Sequence, residues 1–288
     1  MLAFIFPGQG SQRRGMGESL FDRVSEFTSV EAHVDALLGY SLRRLCLTDA
    51  DNRLKETQYT QPALFVVNAL HYYDALHRGP PPDYLAGHSL GEYNALLAAG
   101  VFDLLTGLRL VRKRGELMSR ARNGAMTAVI GLPSATITRV CLENGLADVD
   151  IANYNSPSQT VLSGPKETIE RAGILFERAG ASLCAPLAVS AAFHSRYMTE
   201  AGEQFGAFLA PFIFAAPRIP VVANVTGEPY PLADPSPAVK ALLVRQIAQP
   251  VRWTQSVRYL LGRGVSRFQE LGPGNVLTRL IEQTRKAA

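Results

Sequence analysis

The chain has 288 residues, 47% hydrophobic and 19% charged, with net charge +4 and a pI of about 9.0. That length supports one large core, or a large one and a small one. It holds no apolar run near the ~20 residues that cross a bilayer, so no membrane association is expected. Cys46, Cys141 and Cys184 are odd in number and form no C-x-x-C pair, so neither a disulfide framework nor a metal site is expected. A reducing cytoplasm is the expected compartment.

The opening "MLAFIFPGQG" lacks the basic region of a signal peptide and reads as a buried first strand. The glycine-rich stretch after it, "FPGQGSQRRGMG", satisfies neither nucleotide motif. Arg13 stands at the third glycine of G-x-G-x-x-G, and Met16 stands where a P-loop needs lysine. What remains is a turn whose backbone N–H groups, notably that of Gln9, are suited to face a substrate oxygen. Read alone, it is an ordinary turn.

Residues 86–100, "AGHSLGEYNALLAAG", hold Gly-x-Ser-x-Gly at Gly87, Ser89 and Gly91. The strand "YLAG" precedes Ser89. A segment with helical apolar spacing follows it and ends at Gly100, a suitable C-cap. Strand, turn and helix are the context this motif requires.

The middle of the chain reads as strand ("AMTAVIGL"), helix ("PSATITRVCLENG"), two strands ("VDIANYN", "QTVLSG") around the turn "SPS", helix ("PKETIERAGILFERAG") and strand ("SLCAPLAVS"). This βαββαβ order is the ferredoxin-like pattern. The expected fold is therefore α/β: a large α/β-hydrolase-like domain with a parallel sheet (1–122 and 190–288) and an inserted ferredoxin-like subdomain (123–189). Downstream come "AAFHS", a helix near 198–209, a strand "IPVVANVTG", and a proline-rich linker. Helices at "AVKALLVRQIA" and "WTQSVRYLLGRG", a strand "RFQELGPG" and a last helix close the chain.

A serine hydroxyl needs a base to become nucleophilic. The tight turn exposes the Ser89 oxygen and leaves the Leu90 N–H at a helix N-terminus, where it can donate to an oxyanion. Of five histidines, His33, His71 and His77 are expected at the surface. His88 adjoins Ser89 but points elsewhere on such a turn and is expected to be a structural hydrogen-bonder. His194, in a loop after a strand, is the favoured base. No acidic third member is evident, since Glu200 and Glu203 lie in the next helix, so a Ser–His dyad oriented by a backbone carbonyl is expected.

Charge is uneven. From Lys240 to Ala288 there are nine Lys or Arg against two Glu, a local +7 that leaves −3 elsewhere. A basic region of this kind fits an acidic partner, a phosphorylated ligand or a solubilising face. Nucleic acid is not expected, because no binding motif or aromatic platform accompanies the cations.

Together these pieces resemble the malonyl-CoA:acyl carrier protein transacylases. The match runs in order through "FPGQGSQ", "TQPAL", "AGHSLGEYNAL", "VRKRG", "NSPSQ", "FHS" and "QPVRWTQSV…GPGNVLT". Within that family the chain is most similar to discrete, trans-acting acyltransferases of polyketide synthases, of the disorazole synthase type. The resemblance implies that Ser89 is acylated and that His194 is base, then acid. It assigns the oxyanion hole to the Gln9 and Leu90 N–H groups. It gives Arg114, otherwise readable as a surface arginine of a basic helix, the free carboxylate of malonyl. It makes Gln246 the residue whose carbonyl orients His194. Gln61 and Asn155 would line the pocket, and Phe193 would leave little room for an α-methyl group.

The implied reaction is ping-pong transfer from malonyl-CoA to the phosphopantetheine thiol of an acyl carrier protein, for polyketide or fatty acid synthesis. No cofactor is implied, and a monomer is the expected state. Carrier proteins are generally acidic, so the basic C-terminal block and the arginines at 109, 112, 120 and 122 are expected docking surfaces. Three rivals remain. A proofreading acyl-carrier hydrolase of the same fold would lack the carboxylate-binding arginine. An α/β-hydrolase esterase would carry its histidine near the C-terminus, whereas 94 residues follow His194. A non-catalytic relative would not keep Ser89, His194 and Arg114 together.

Overall fold

The computed structural model describes residues 1–189 and 191–287. The first strand, β1 (Leu2–Phe6), is buried at every position, as expected of a strand covered on both faces. Its side chains alternate between two cores. Phe4 and Phe6 face one core, while Ala3 and Ile5 face another built with Trp253, Val257 and Leu277. Its neighbours are β2 (Tyr84–Gly87), the short β7 (Val221–Val222) and β8 (Arg267–Glu270). All pair in parallel, in the order β7-β2-β1-β8.

Helices cover both faces. Three short ones, α1 (Ser25–Thr28), α2 (Glu31–Leu38) and α3 (Leu42–Thr48), lead to the long α4 (Thr57–Arg78). After β2 come α5 (Gly91–Ala98), buried at all eight positions, and α6 (Leu104–Ser119), which packs on α4.

The second sheet is antiparallel, in the order β4-β5-β3-β6. It comprises β3 (Gly124–Ile130), β4 (Asp150–Ser156), β5 (Gln159–Pro165) and β6 (Leu183–Pro186). Helices α7 (Ser134–Glu143) and α8 (Lys166–Arg178) cover one face around Val129, Leu162 and Phe176. The chain order is βαββαβ, the ferredoxin-like connectivity. Strand β6 is shorter than the expected 182–190, and Ser190 lies outside the described residues.

Strand β4 is tied by main-chain pairing to Val251, which lies outside both sheets. The Tyr154 N–H donates to the Val251 carbonyl (2.9 Å), and the Val251 N–H donates to the Ala152 carbonyl (2.9 Å). Beyond them lie α9 (Thr199–Leu209), α10 (Pro235–Ala248), α11 (Trp253–Gly262) and α12 (Val276–Lys286).

Two expectations are corrected. The strand expected over "IPVVANVTG" shrinks to two residues, because the Gly227 N–H bonds back to the Ala223 carbonyl (2.9 Å) and turns the chain at Asn224. His71 is half-buried on α4 rather than exposed, and burial lowers its pKa. All three cysteines are free thiols. Among the described residues no helix is long and apolar enough to cross a membrane.

Candidate active site

Strand β2 ends at Gly87 and α5 begins at Gly91, so Ser89 occupies the tip of a sharp turn. Its φ of +51° lies in the left-handed region, which a non-glycine residue adopts only when held there. Asn224 holds it. The Ser89 N–H donates to Asn224 Oδ1 (2.7 Å), and Asn224 Nδ2 donates to the Gly87 carbonyl (2.6 Å).

The glycines are steric requirements. A Cβ on Gly87 would lie 2.0 Å from the Gly91 carbonyl, and one on Gly91 would lie 2.0 Å from the Phe6 carbonyl oxygen. The glycine-rich turn after β1 approaches just as closely, since a Cβ on Gly8 would sit 2.5 Å from the His88 carbonyl oxygen and 3.6 Å from the Leu90 nitrogen. Gln9 is therefore brought beside Leu90. Among the described residues neither the Gln9 nor the Leu90 N–H has an acceptor, so two backbone donors stand open next to the serine.

His194 also has a positive φ, +55°, and is 4% exposed. Its Nε2 is 2.7 Å from Ser89 Oγ, and its Nδ1 is 2.8 Å from the Gln246 carbonyl oxygen. A carbonyl only accepts, so Nδ1 carries the proton and donates to it. The Nε2 lone pair is left to accept from the serine hydroxyl. Burial, and next the positive Arg114, pull the His194 pKa down to about 3. The resting imidazole is neutral and ready to act as a base.

Arg114, on α6, is 1% exposed. Its Nη1 donates to Gln61 Oε1 (2.8 Å), and its Nη2 donates to Ser89 Oγ (3.1 Å) and Gln246 Oε1 (3.1 Å). Every acceptor is neutral, and Nε has none. The guanidinium carbon lies 5.5 Å from the Tyr93 ring centroid. Burying a charge with no carboxylate bonded to it is costly, so this guanidinium is a strong binding site for an anion arriving at Ser89. Burial lowers its pKa from the usual arginine value.

A cleft of about 270 Å³ opens onto these groups and is lined by Gln9, Gln61, Ser89, Arg114, Asn155, Phe193 and His194. Phe193, Met118, Met126 and Leu187 supply apolar wall. Asn155 reaches the site through His88, whose Nε2 is 2.8 Å from Asn155 Oδ1. Gln246 stands behind the cleft, not on its wall.

Glu92 and Asn224 are the site residues the sequence reading did not single out. Each carried a signal: Glu92 is the only charge in the apolar stretch "LGEYNALLAAG", and Asn224 interrupts an apolar strand pattern. Among the described residues no cluster of His, Cys, Asp or Glu is suited to a metal.

A serine on a strained strand-to-helix turn, a neutral histidine with its lone pair on the hydroxyl, and two open N–H donors define a serine acyl-transfer site. Residues 3–288 match the acyl transferase domain family, and the chain belongs to it. It is 52% identical to the polyketide biosynthesis malonyl CoA-acyl carrier protein transacylase BaeC of Bacillus velezensis, over 99% of this chain and 97% of that one. Among solved structures it is similar to a malonyl CoA-acyl carrier protein transacylase from Burkholderia pseudomallei (50% identity, TM-score 0.94, 100% of this chain and 99% of that one). It is also similar to a malonyl-transacylase solved in complex with its type II polyketide synthase acyl-carrier protein (38% identity, TM-score 0.92, 99% and 93% covered).

Proposed function

We propose that the protein transfers the malonyl group of malonyl-CoA to the phosphopantetheine thiol of an acyl carrier protein, in polyketide biosynthesis. The observation that carries this reading is Arg114: a buried guanidinium beside the nucleophile, held by neutral acceptors alone. Malonyl brings the carboxylate it lacks, and a guanidinium binds a carboxylate through paired N–H bonds. Acetyl would leave the charge unpaired.

In the first half-reaction, His194 Nε2 takes the Ser89 proton while Oγ attacks the thioester carbonyl. The oxyanion forms against the Gln9 and Leu90 N–H groups. The imidazolium, steadied by the Gln246 carbonyl, then protonates the leaving CoA thiolate. The second half repeats these steps with the carrier thiol as nucleophile. The malonyl carboxylate also offsets the Arg114 charge that disfavours the imidazolium, so the correct substrate makes its own base stronger. Incubating malonylated protein with holo carrier protein tests transfer. Malonyl-carrier formed faster than free malonate supports it, and malonate alone would point to the hydrolase.

The resting base stays neutral far into acid, because its pKa is lowered to about 3. A base fails only when protonated, so kcat/KM for malonyl-CoA is expected to hold level from about pH 8 to about pH 5. Initial rates across that range check this, and a half-loss near the ordinary histidine pKa would contradict it.

We assign carrier docking to the basic C-terminal block from Lys240 onward. Its nine cations take part in no ion pair among the described residues. Leu277 and Leu280 of α12 line the cleft, and Arg279 is exposed on the same helix. Arg120, by contrast, pairs with Glu116. Affinity for holo carrier protein is expected to fall roughly tenfold between low and high salt. Titration calorimetry at two salt concentrations measures it, and salt-independent binding would rule out this surface. A monomeric state in a reducing cytoplasm completes the reading.

A further inference from the structure

A buried carboxylate lies behind the catalytic pair and touches neither member of it. Glu92, in the second position of α5, is 0% exposed. Its Oε1 accepts from the Tyr230 hydroxyl and from the Asn224 N–H (3.3 Å), and its Oε2 accepts from Gln246 Nε2 (2.6 Å). All three donors come from chain far downstream, beyond residue 220.

Two of these partners lead straight to the reacting groups. Gln246 Nε2 also donates to the Ser89 carbonyl (2.8 Å). A carboxylate and a carbonyl are both acceptors, so the amide nitrogen must face them and Oε1 must face Arg114 Nη2. The same residue gives its backbone carbonyl to His194 Nδ1. Asn224, whose N–H rests on Glu92, uses its side chain to brace Ser89 in its left-handed conformation.

We propose that Glu92 is a positioning residue: its carboxylate fixes the Gln246 amide and the Asn224 turn, and through them sets Arg114 for malonyl and Ser89 for attack. The proposal rests on the malonyl-transfer reading above. The charged or titratable groups around the carboxylate are Arg114, Tyr93 and Tyr230, none of them acidic at neutral pH. Burial raises the Glu92 pKa to about 7 against the pull of its donors, so the carboxyl is protonated part of the time at neutral pH. What matters is reach. A glutamine can place Oε1 on Gln246 and its amide nitrogen toward Tyr230, whose hydroxyl turns to accept, and it gives up only the long Asn224 N–H bond (3.3 Å). An aspartate keeps the acid but falls one methylene short of its partners.

The test compares wild type, Glu92→Gln and Glu92→Asp in single-turnover acylation by malonyl-CoA and by acetyl-CoA, with rates normalised to the folded fraction from near-UV circular dichroism. Glu92→Gln is expected within about tenfold of wild type, with its malonyl preference kept. Glu92→Asp is expected to lose about thirtyfold or more with malonyl-CoA and less with acetyl-CoA, so that its malonyl-to-acetyl ratio falls. A purely structural role would change the folded fraction but not that ratio. Glu92→Asp equal to or faster than Glu92→Gln, or an unchanged ratio in Glu92→Asp, overturns the proposal. The wild-type arm separates the two ideas, since absence of a malonyl ester there sinks the malonyl reading itself.

Discussion

Alanine in place of His194 is expected to slow Ser89 acylation by malonyl-CoA about 10⁴-fold or more, while leaving substrate binding nearly unchanged. The reason is geometric. His194 Nε2 is 2.7 Å from Ser89 Oγ and is the only histidine nitrogen bonded to it among the described residues, and a serine hydroxyl without its base is nearly inert at neutral pH. His88 cannot substitute, because its Nε2 is committed to Asn155. Quenched-flow mass measurement of the acylated fraction gives the rate. A loss of less than about tenfold would mean that another group takes the proton.

Arg114→Leu is expected to act on selectivity. Leucine fills much of the buried space but offers no N–H group. Malonylation is expected to fall about 10²- to 10³-fold, the cost of losing one member of a buried charge pair. Acetylation is expected to stay level or rise. Removing the guanidinium also removes a charge that holds the His194 pKa down, so the base strengthens for a substrate that never needed the arginine. The ratio of acylation rates from malonyl-CoA and acetyl-CoA is the readout. A variant that still prefers malonyl by the wild-type margin would show that selection lies elsewhere in the cleft.

Much of this site was legible in the chain. Ser89 stood out because two glycines flanked it between an apolar strand and a helix, and the structure shows why nothing larger fits at Gly87 and Gly91. The second sheet was legible because alternating strands bracketed the turn "SPS" between helical stretches. Arg114 was harder. In "VRKRG" three neighbouring cations look equally solvent-facing, and the family resemblance rather than the pattern singled out the arginine. Yet Gly107, Val111, Arg114 and Met118 share one helical face, all buried, so the arginine sits where an apolar residue belongs. That mismatch was the available signal.

What could not be read was long-range. Asn224 and Gln246 act on Ser89 from 135 and 157 residues away, and no local periodicity reports such meetings. Asn224 also explains the failed strand. Its side chain is engaged by Ser89 and Gly87, and the backbone turns to present it. Glu92 was hidden for the opposite reason: a glutamate in the first turn of a helix looks like an ordinary favourable charge near the dipole, and only the packed structure shows it buried among donors.

The most direct test of the central claim is the intact mass of the protein after brief mixing with malonyl-CoA, beside Ser89→Ala and beside acetyl-CoA. A malonyl adduct is expected on the wild type, none on Ser89→Ala, and little or no adduct from acetyl-CoA. No malonyl adduct on the wild type, or an acetyl adduct formed equally fast, would contradict it.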